Sequence, residues 1–231
     1  MNIDAYIDLV SSIHARICFF DEFEKDTKIL IIRHDVDHDL NKAVQLAEIE
    51  AKNGIRSTYF ILHNAKYFDY SDKLAHRCKT IRDYGHQIGF HNDALTVWLR
   101  TQEPMKEVIA KPLKFLRSNG IVVKYSSAHG SPLMRKYNFK NFQIWKGAKR
   151  GPLSPSKQLR LSDFGLKDEV YLMPFNYYWS ESGNKWRGGR VPFVGWFERD
   201  FSFLNTEQLH DSITEFNQME NISAQLLTHP K

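Results

Sequence analysis

Only two cysteines occur in the 231 residues, Cys18 and Cys78, and no C-x-x-C spacing joins them. Neither a disulfide framework nor a thiolate metal site is supported, so any metal must be held by histidine and carboxylate. No apolar stretch approaches the roughly 20 residues that a membrane-spanning helix needs. The opening MNIDAYIDLVSSIHARICFF places acids early and lacks the basic-then-apolar order of a secretory leader, so a cytoplasmic location is the expectation. Lys and Arg exceed Asp and Glu by 32 to 27, but the cations are scattered and never form a run. No nucleic-acid partner is therefore expected. Internal repeats, low-complexity tracts and a linker are also lacking. The length suits one large core, and a single domain over residues 1–231 is expected.

What is present alternates. A β-rich run at 28–32, a helical pattern at 39–53 and a second run at 57–62 read as a βαβ unit. In the helix, Leu40, Ala43, Val44, Ala47 and Ala51 recur at three- and four-residue intervals, Asp39 is placed to cap the free N–H groups, and Gly54 suits a left-handed stop. Further helices are expected at 71–84, at about 103–119 with Pro112 kinking or shortening it, and at 206–220. Further strands are expected at 87–90, 121–126, 143–145, 169–175 and 224–227. Residues 130–165 otherwise read as long connections, and the Gly- and Trp-rich stretch leading to Gly195 reads as a loop. Sequential βα units favour a parallel sheet, open or closed into a barrel, with its functional groups at the carboxyl ends of the strands.

The run ILIIRHDVDHDL, residues 29–40, begins as a buried strand and ends in three aspartates and two histidines. Strand alternation puts Ile31, Arg33, Asp35 and Asp37 on one face and Ile32, His34 and Val36 on the other. Two carboxylates projecting to one side repel each other unless a divalent cation or Arg33 compensates them. Helix capping by Asp37 and Asp39 is the plainer reading, and this segment alone supports both. Three other strands end alike: His91 and Asp93 follow GHQIGF, His129 follows VVKYSSA, and His229 follows AQLLT.

RHDVD, AVQLAEIEAKNGIRSTYFIL, GHQIGFHND, SAHGSP and LLTHP, in that order over residues 29–229, resemble the polysaccharide deacetylase family, the NodB-homology or carbohydrate esterase family four group. The resemblance implies an α/β fold, a distorted (β/α) barrel of seven strands, and metal-dependent removal of an N- or O-acyl group, most often acetyl, from an amino sugar or glycan precursor. It matches Asp35 to the catalytic base, Asp37 to the metal-binding aspartate, His91 to the first histidine of an H-x-x-x-H metal motif, and His229 to the general acid. The second motif histidine is replaced by Leu95; His129 is the substitute ligand and Asp93 its rival. YYWSESGNKWRGG resembles the segment that supports the base, with Glu181 in place of an aspartate. The resemblance also implies a divalent metal, zinc foremost, and an acylated sugar or glycan intermediate as the molecule acted upon. Because of Leu95, a catalytically degenerate glycan-binding or assembly protein is the alternative; a deformylase or cyclic-amide hydrolase is another.

Several residues also have plainer readings. His34 faces away from the acids and suits packing; His86 begins its strand; His63 ends one and could line the site. His14, His38, His76 and His210 read as surface. Trp179, Trp186, Trp196, Tyr177 and Tyr178 offer rings for stacking on a sugar, or ordinary packing. Arg187 and Arg190 flank Gly188-Gly189 and would grip a phosphate or carboxylate, or simply be solvated.

Overall fold

The structure is a computed structural model that describes residues 2–183, 185–191 and 202–230. Its organising strand is β2 (Ile29–Val36), every residue of which is buried. Its alternation divides the core. Leu30, Ile32 and Val36 join the large cluster between sheet and helices, whereas Ile29 and Ile31 join Cys18, Phe20, Phe60, Tyr125, Val170, Met173 and Phe175 inside the curved sheet. Burial on both faces is why this strand reads as a continuous apolar run rather than an alternating one.

The short β1 (Arg16–Cys18) runs parallel beside the first half of β2, and β3 (Thr58–Leu62) beside its second half. Outward from β3 follow β4 (Gln87–Asn92), β5 (Val123–Ala128) and β6 (Asp168–Glu169), all parallel. On the other side of β2 lie β7 (Tyr177–Ser182), β8 (Lys185–Arg190), β9 (Phe203–Leu204) and β10 (Ser223–Thr228), in the order β10, β7, β8, β9. The path from β6 to β7 therefore contains the seven parallel strands expected, and β8 and β9 extend it antiparallel. Among the described residues no ladder joins β6 to β9, so the distorted α/β barrel is not closed.

The helices are α1 (Ile3–Ser12), α2 (Leu40–Lys52), α3 (Asp72–Asp83), α4 (Ala94–Thr101), α5 (Met105–Ser118), α6 (Pro132–Tyr137) and α7 (Thr206–Gln218). Asp39 caps α2 by accepting from Asn41 N (2.8 Å) and Lys42 N (3.3 Å), and Gly54 takes φ +69° just past its end. The buried stripe of α2 is Leu40, Ala43, Leu46, Ala47 and Glu50. An acid thus occupies a core position. Glu50 accepts hydrogen bonds from Tyr6 Oη, from His34 Nε2 (2.9 Å), from Ser57 Oγ (2.6 Å) and from Tyr59 Oη (2.7 Å). His86 completes this knot, donating from Nε2 to Ala47 O (2.9 Å).

Several elements differ from expectation. Helix α4 precedes α5, and α5 continues through a buried Pro112 to Ser118. Residues 141–144 form a 3-10 turn instead of a strand, followed by a bridge between Trp145 and Leu159. Of the segment expected at 169–175 only Glu169, together with the preceding Asp168, pairs with β5; Val170, Met173 and Phe175 instead drop their side chains into the barrel. Of the Gly- and Trp-rich stretch, residues 177–182 and 185–190 pair as the β7–β8 hairpin, and residues 192–195 lie outside the described residues.

Gly89 in β4 is required by packing. A Cβ there would lie 2.4 Å from Cδ1 and Cε1 of Phe60, whose ring fills the interior. Gly89→Ala is expected to cost about 1–3 kcal/mol through overpacking. A thermal melt indistinguishable from that of the unsubstituted protein would contradict this packing.

Candidate metal centre

The carboxyl ends of β2, β4, β5 and β10 converge. Asp37 lies just past β2, His91 is near the end of β4, and His129 and His229 follow β5 and β10 directly. Ligand atoms of Asp37, His91 and His129 all lie within 4.8 Å of one another. Asp37 Oδ1 is 3.2 Å from His91 Nε2 and 3.8 Å from His129 Nε2, while Asp37 Oδ2 is 3.8 Å from His229 Nε2.

His91 and His229 are held from behind by backbone carbonyls, whereas His129 Nδ1 is buried beside a carboxylate without an aligned hydrogen bond. His91 donates from Nδ1 to Ser127 O (2.9 Å), which leaves Nε2 facing Asp37. His229 donates from Nδ1 to Glu181 O (2.6 Å), which joins β10 to β7 at the rim. His129 has Nδ1 3.4 Å from Asp93 Oδ1. Asp93 in turn accepts from Asn64 Nδ2 and Asn141 Nδ2, both at 2.8 Å, and its N–H donates to His63 Nε2 (3.0 Å). Accepting that bond keeps His63 neutral. Burial is the main cause lowering its pKa to about 4; Asp93 pulls the other way, and His91 and His129 add smaller lowering contributions.

Burial opposes ionisation of Asp37, yet His91, His129 and His229 together hold its carboxyl well below the usual range. For His91, burial alone would lower the pKa; Asp35 and Asp37 reverse that and raise it to about 9.

Asp35, on the interior face of β2, accepts from Ser127 Oγ (3.4 Å), and its Oδ2 lies 3.7 Å from His91 Nε2 and 3.4 Å from Arg33 Nη2. Arg33 is wholly buried, and its guanidinium stands 4.4 Å over the ring of Tyr171. Its three nitrogens make no conventional hydrogen bond. Burial disfavours the cation, but Asp35 with Tyr171 and Tyr178 together more than compensate and raise the Arg33 pKa. Glu169, also wholly buried, accepts from Ser126 Oγ (2.7 Å), Ala128 N (3.0 Å) and Trp145 Nε1 (3.1 Å), anchoring the strand end that carries His129.

Other sequence candidates lie elsewhere. Trp179 is buried on the helix side of the sheet, donating to Ser212 Oγ (3.0 Å) and packed edge-on against Phe216. Trp186 is half-buried against the large core. Arg187 is exposed, with its guanidinium 4.2 Å from the centre of the Phe203 ring. Glu181 meets the cluster through its carbonyl, and its side chain is buried. Trp196 lies outside the described residues. His34 turns to the helix side, bonded to Glu50 and to Thr228 Oγ1 (2.7 Å). His14, His38, His76 and His210 are exposed. Sequence reasoning missed Asn64, Asn141 and Glu169. Asn64 follows the β3 end and shares the strand-end signal; nothing in the local pattern marks Asn141.

Fold and cluster together define a largely parallel α/β protein with a histidine–carboxylate centre at the carboxyl ends of its strands. No protein-family model matches the sequence, and no curated protein matches it. Solved structures do match. A family 4 carbohydrate esterase from Bacillus anthracis is 13% identical, with a TM-score of 0.45 over 96% of this chain and 76% of that one. A CE4 esterase from Streptococcus mutans is 13% identical, with a TM-score of 0.45 over 89% and 75%. A CE4 family pseudoenzyme from Bacillus anthracis is 11% identical, with a TM-score of 0.44 over 90% of this chain. This chain spans 57% of that pseudoenzyme's length. Among the described residues no helix is long and apolar enough to cross a membrane.

Proposed function

We propose that the chain is a metal-dependent hydrolase that removes an N- or O-acyl group, acetyl foremost, from an amino sugar or glycan precursor. One observation carries the reading. Asp37 Oδ1 is buried without a hydrogen bond while facing the Nε2 atoms of His91 and His129. An unsatisfied buried carboxylate oxygen is costly, and two imidazoles beside it form a donor set that suits zinc. Asp37, His91 and His129 would hold the ion. When bound, a divalent ion supplies Lewis-acid stabilisation of charge on an acyl oxygen and acidifies water.

The chain's own groups do the rest. Asp35 is left outside the ligand set, next to the cluster, and would take the proton from the attacking water. The Arg33 cation behind it, with Nη2 3.4 Å from Asp35 Oδ2, orients it. His229, aimed by the Glu181 carbonyl, would donate a proton from Nε2 to the departing nitrogen or oxygen. An amine leaves poorly without that proton.

The test is metal analysis of the purified protein followed by acetate release from N-acetylated glucosamine oligomers. Metal at one equivalent with acetate release supports the reading. Metal without release from any acylated sugar would favour the second reading, a glycan-binding protein without catalysis, to which Leu95 in place of the motif histidine points. His229→Gln separates the acid from the other groups: turnover of an amide substrate is expected to fall about 10²–10⁴-fold. Hydrolysis of 4-nitrophenyl acetate, whose leaving group needs no proton, should change little. Equal losses on both substrates would remove His229 from the acid role.

A further inference from the structure

Helix α4 begins without the help its N-cap residue usually provides. Asp93 stands at that position, but its side chain accepts no capping hydrogen bond from the N–H groups of the first turn. An aspartate there ordinarily accepts from the first-turn N–H groups. Here Ala94 N donates to Asn92 Oδ1 and Leu95 N to Asn141 Oδ1, both at 3.0 Å. Two asparagines have taken over the cap. Both oxygens of Asp93 are thereby free to face the cluster, Oδ2 held by Asn64 and Oδ1 shared between Asn141 and the space beside His129 Nδ1.

Asn141 is wholly buried and is bound on every side. Its Nδ2 donates to Asp93 Oδ1 (2.8 Å) and to the His129 carbonyl (2.9 Å), and its own carbonyl accepts from Asn92 Nδ2 (3.2 Å). One amide therefore fixes both the backbone of His129 and the carboxylate that faces its ring. The arrangement has a reason. An imidazole carried on a helix is aimed by the helix, and Leu95, where such an imidazole would stand, is packed in the core. His129 instead sits in the turn after β5, where its ring must be oriented from outside.

We propose that Asp93 is a positioning residue for His129, holding the ring by Nδ1 so that Nε2 is presented toward Asp37, and that Asn141 sets this geometry. A carboxylate behind a metal-binding histidine fixes its tautomer and raises its basicity, and losing such a partner costs about 10–100-fold in metal affinity. The inference rests on the metal-centre reading above, so the experiment must separate the two.

Zinc and cobalt(II) affinities are measured by chelator competition for the unsubstituted protein, Asp93→Asn, Asn141→Ala and His129→Ala, together with the melting temperature of each metal-free protein. Asp93→Asn is nearly isosteric. It should weaken both metals by about 10–100-fold while leaving the metal-free melt unchanged. Asn141→Ala should weaken binding in the same direction. If His129→Ala loses the metal but Asp93→Asn binds as tightly as the unsubstituted protein, the positioning role is overturned and the metal centre stands. Unchanged affinity in His129→Ala would overturn both. A weakened Asp93→Asn whose metal-free melt falls in parallel would assign Asp93 to folding instead and overturn the proposal.

Discussion

Asp37→Ala is expected to abolish stoichiometric zinc binding and acyl release together, whereas Asp35→Asn should keep the metal and lose turnover by about 10²–10⁴-fold. The two acids are separated by one residue and lie in the same charged pocket, yet their surroundings differ. Asp37 faces three imidazoles with a buried oxygen that accepts no hydrogen bond. Asp35 is turned toward Arg33 and Ser127, with His91 at 3.7 Å. On the proposed reading, one ligates and the other exchanges protons. Metal content by mass spectrometry and acetate release on the same preparations decide the matter. Equal metal content in the two variants would refute the division of roles.

The largest expected effect on stability lies on the opposite face of β2. Glu50→Ala removes the acceptor shared by Tyr6, His34, Ser57 and Tyr59, all of them buried. Breaking a buried charged network from one side costs about 3–5 kcal/mol. At roughly 2–4 °C per kcal/mol for a chain of this size, the melting temperature should fall by on the order of 10 °C. Burial pushes the Glu50 pKa up, but His34, Ser57 and Tyr6 prevail and hold it at about 2, against 4.5 for an unperturbed glutamate. A depressed folded-state pKa means that this stabilisation is fully present above about 4.5 and is lost as pH falls through about 2. The gap in melting temperature between the unsubstituted protein and Glu50→Ala should therefore narrow across that window. A gap independent of pH there would show that Glu50 is not ionised in the folded protein.

The two variants also show what the chain discloses and what it withholds. ILIIRHDVDHDL announces β2, and alternation along it separates Arg33, Asp35 and Asp37 from His34 without any coordinates. The recurrence of histidine after β4, β5 and β10 is legible because parallel strands deliver their carboxyl ends to one rim. Glu50 is illegible because a period-3.6 stripe is recognised by apolar residues, and its partners Tyr6, His34, Ser57 and Tyr59 come from three other segments. Asn141 and Trp145 are hidden for a related reason. Both are wholly buried inside a stretch with no regular period, held by contacts to Asp93 and Glu169 that only the tertiary fold creates. The hairpin of β7 and β8 was obscured by Gly188-Gly189, which interrupt the pattern a strand would show.

Arg33 occupies a place in the barrel where its neighbours Ile29, Ile31 and Phe60 would accept leucine or methionine. Nature's usual filling for such a layer is oil, and replacing buried ions by well-packed apolar groups often makes a protein hardier. Keeping a dry guanidinium there forgoes that packing and gives the acid beside it a cation at 3.4 Å. Selection for heat resistance alone would be drawn to this position first, and would leave Asp35 without that partner.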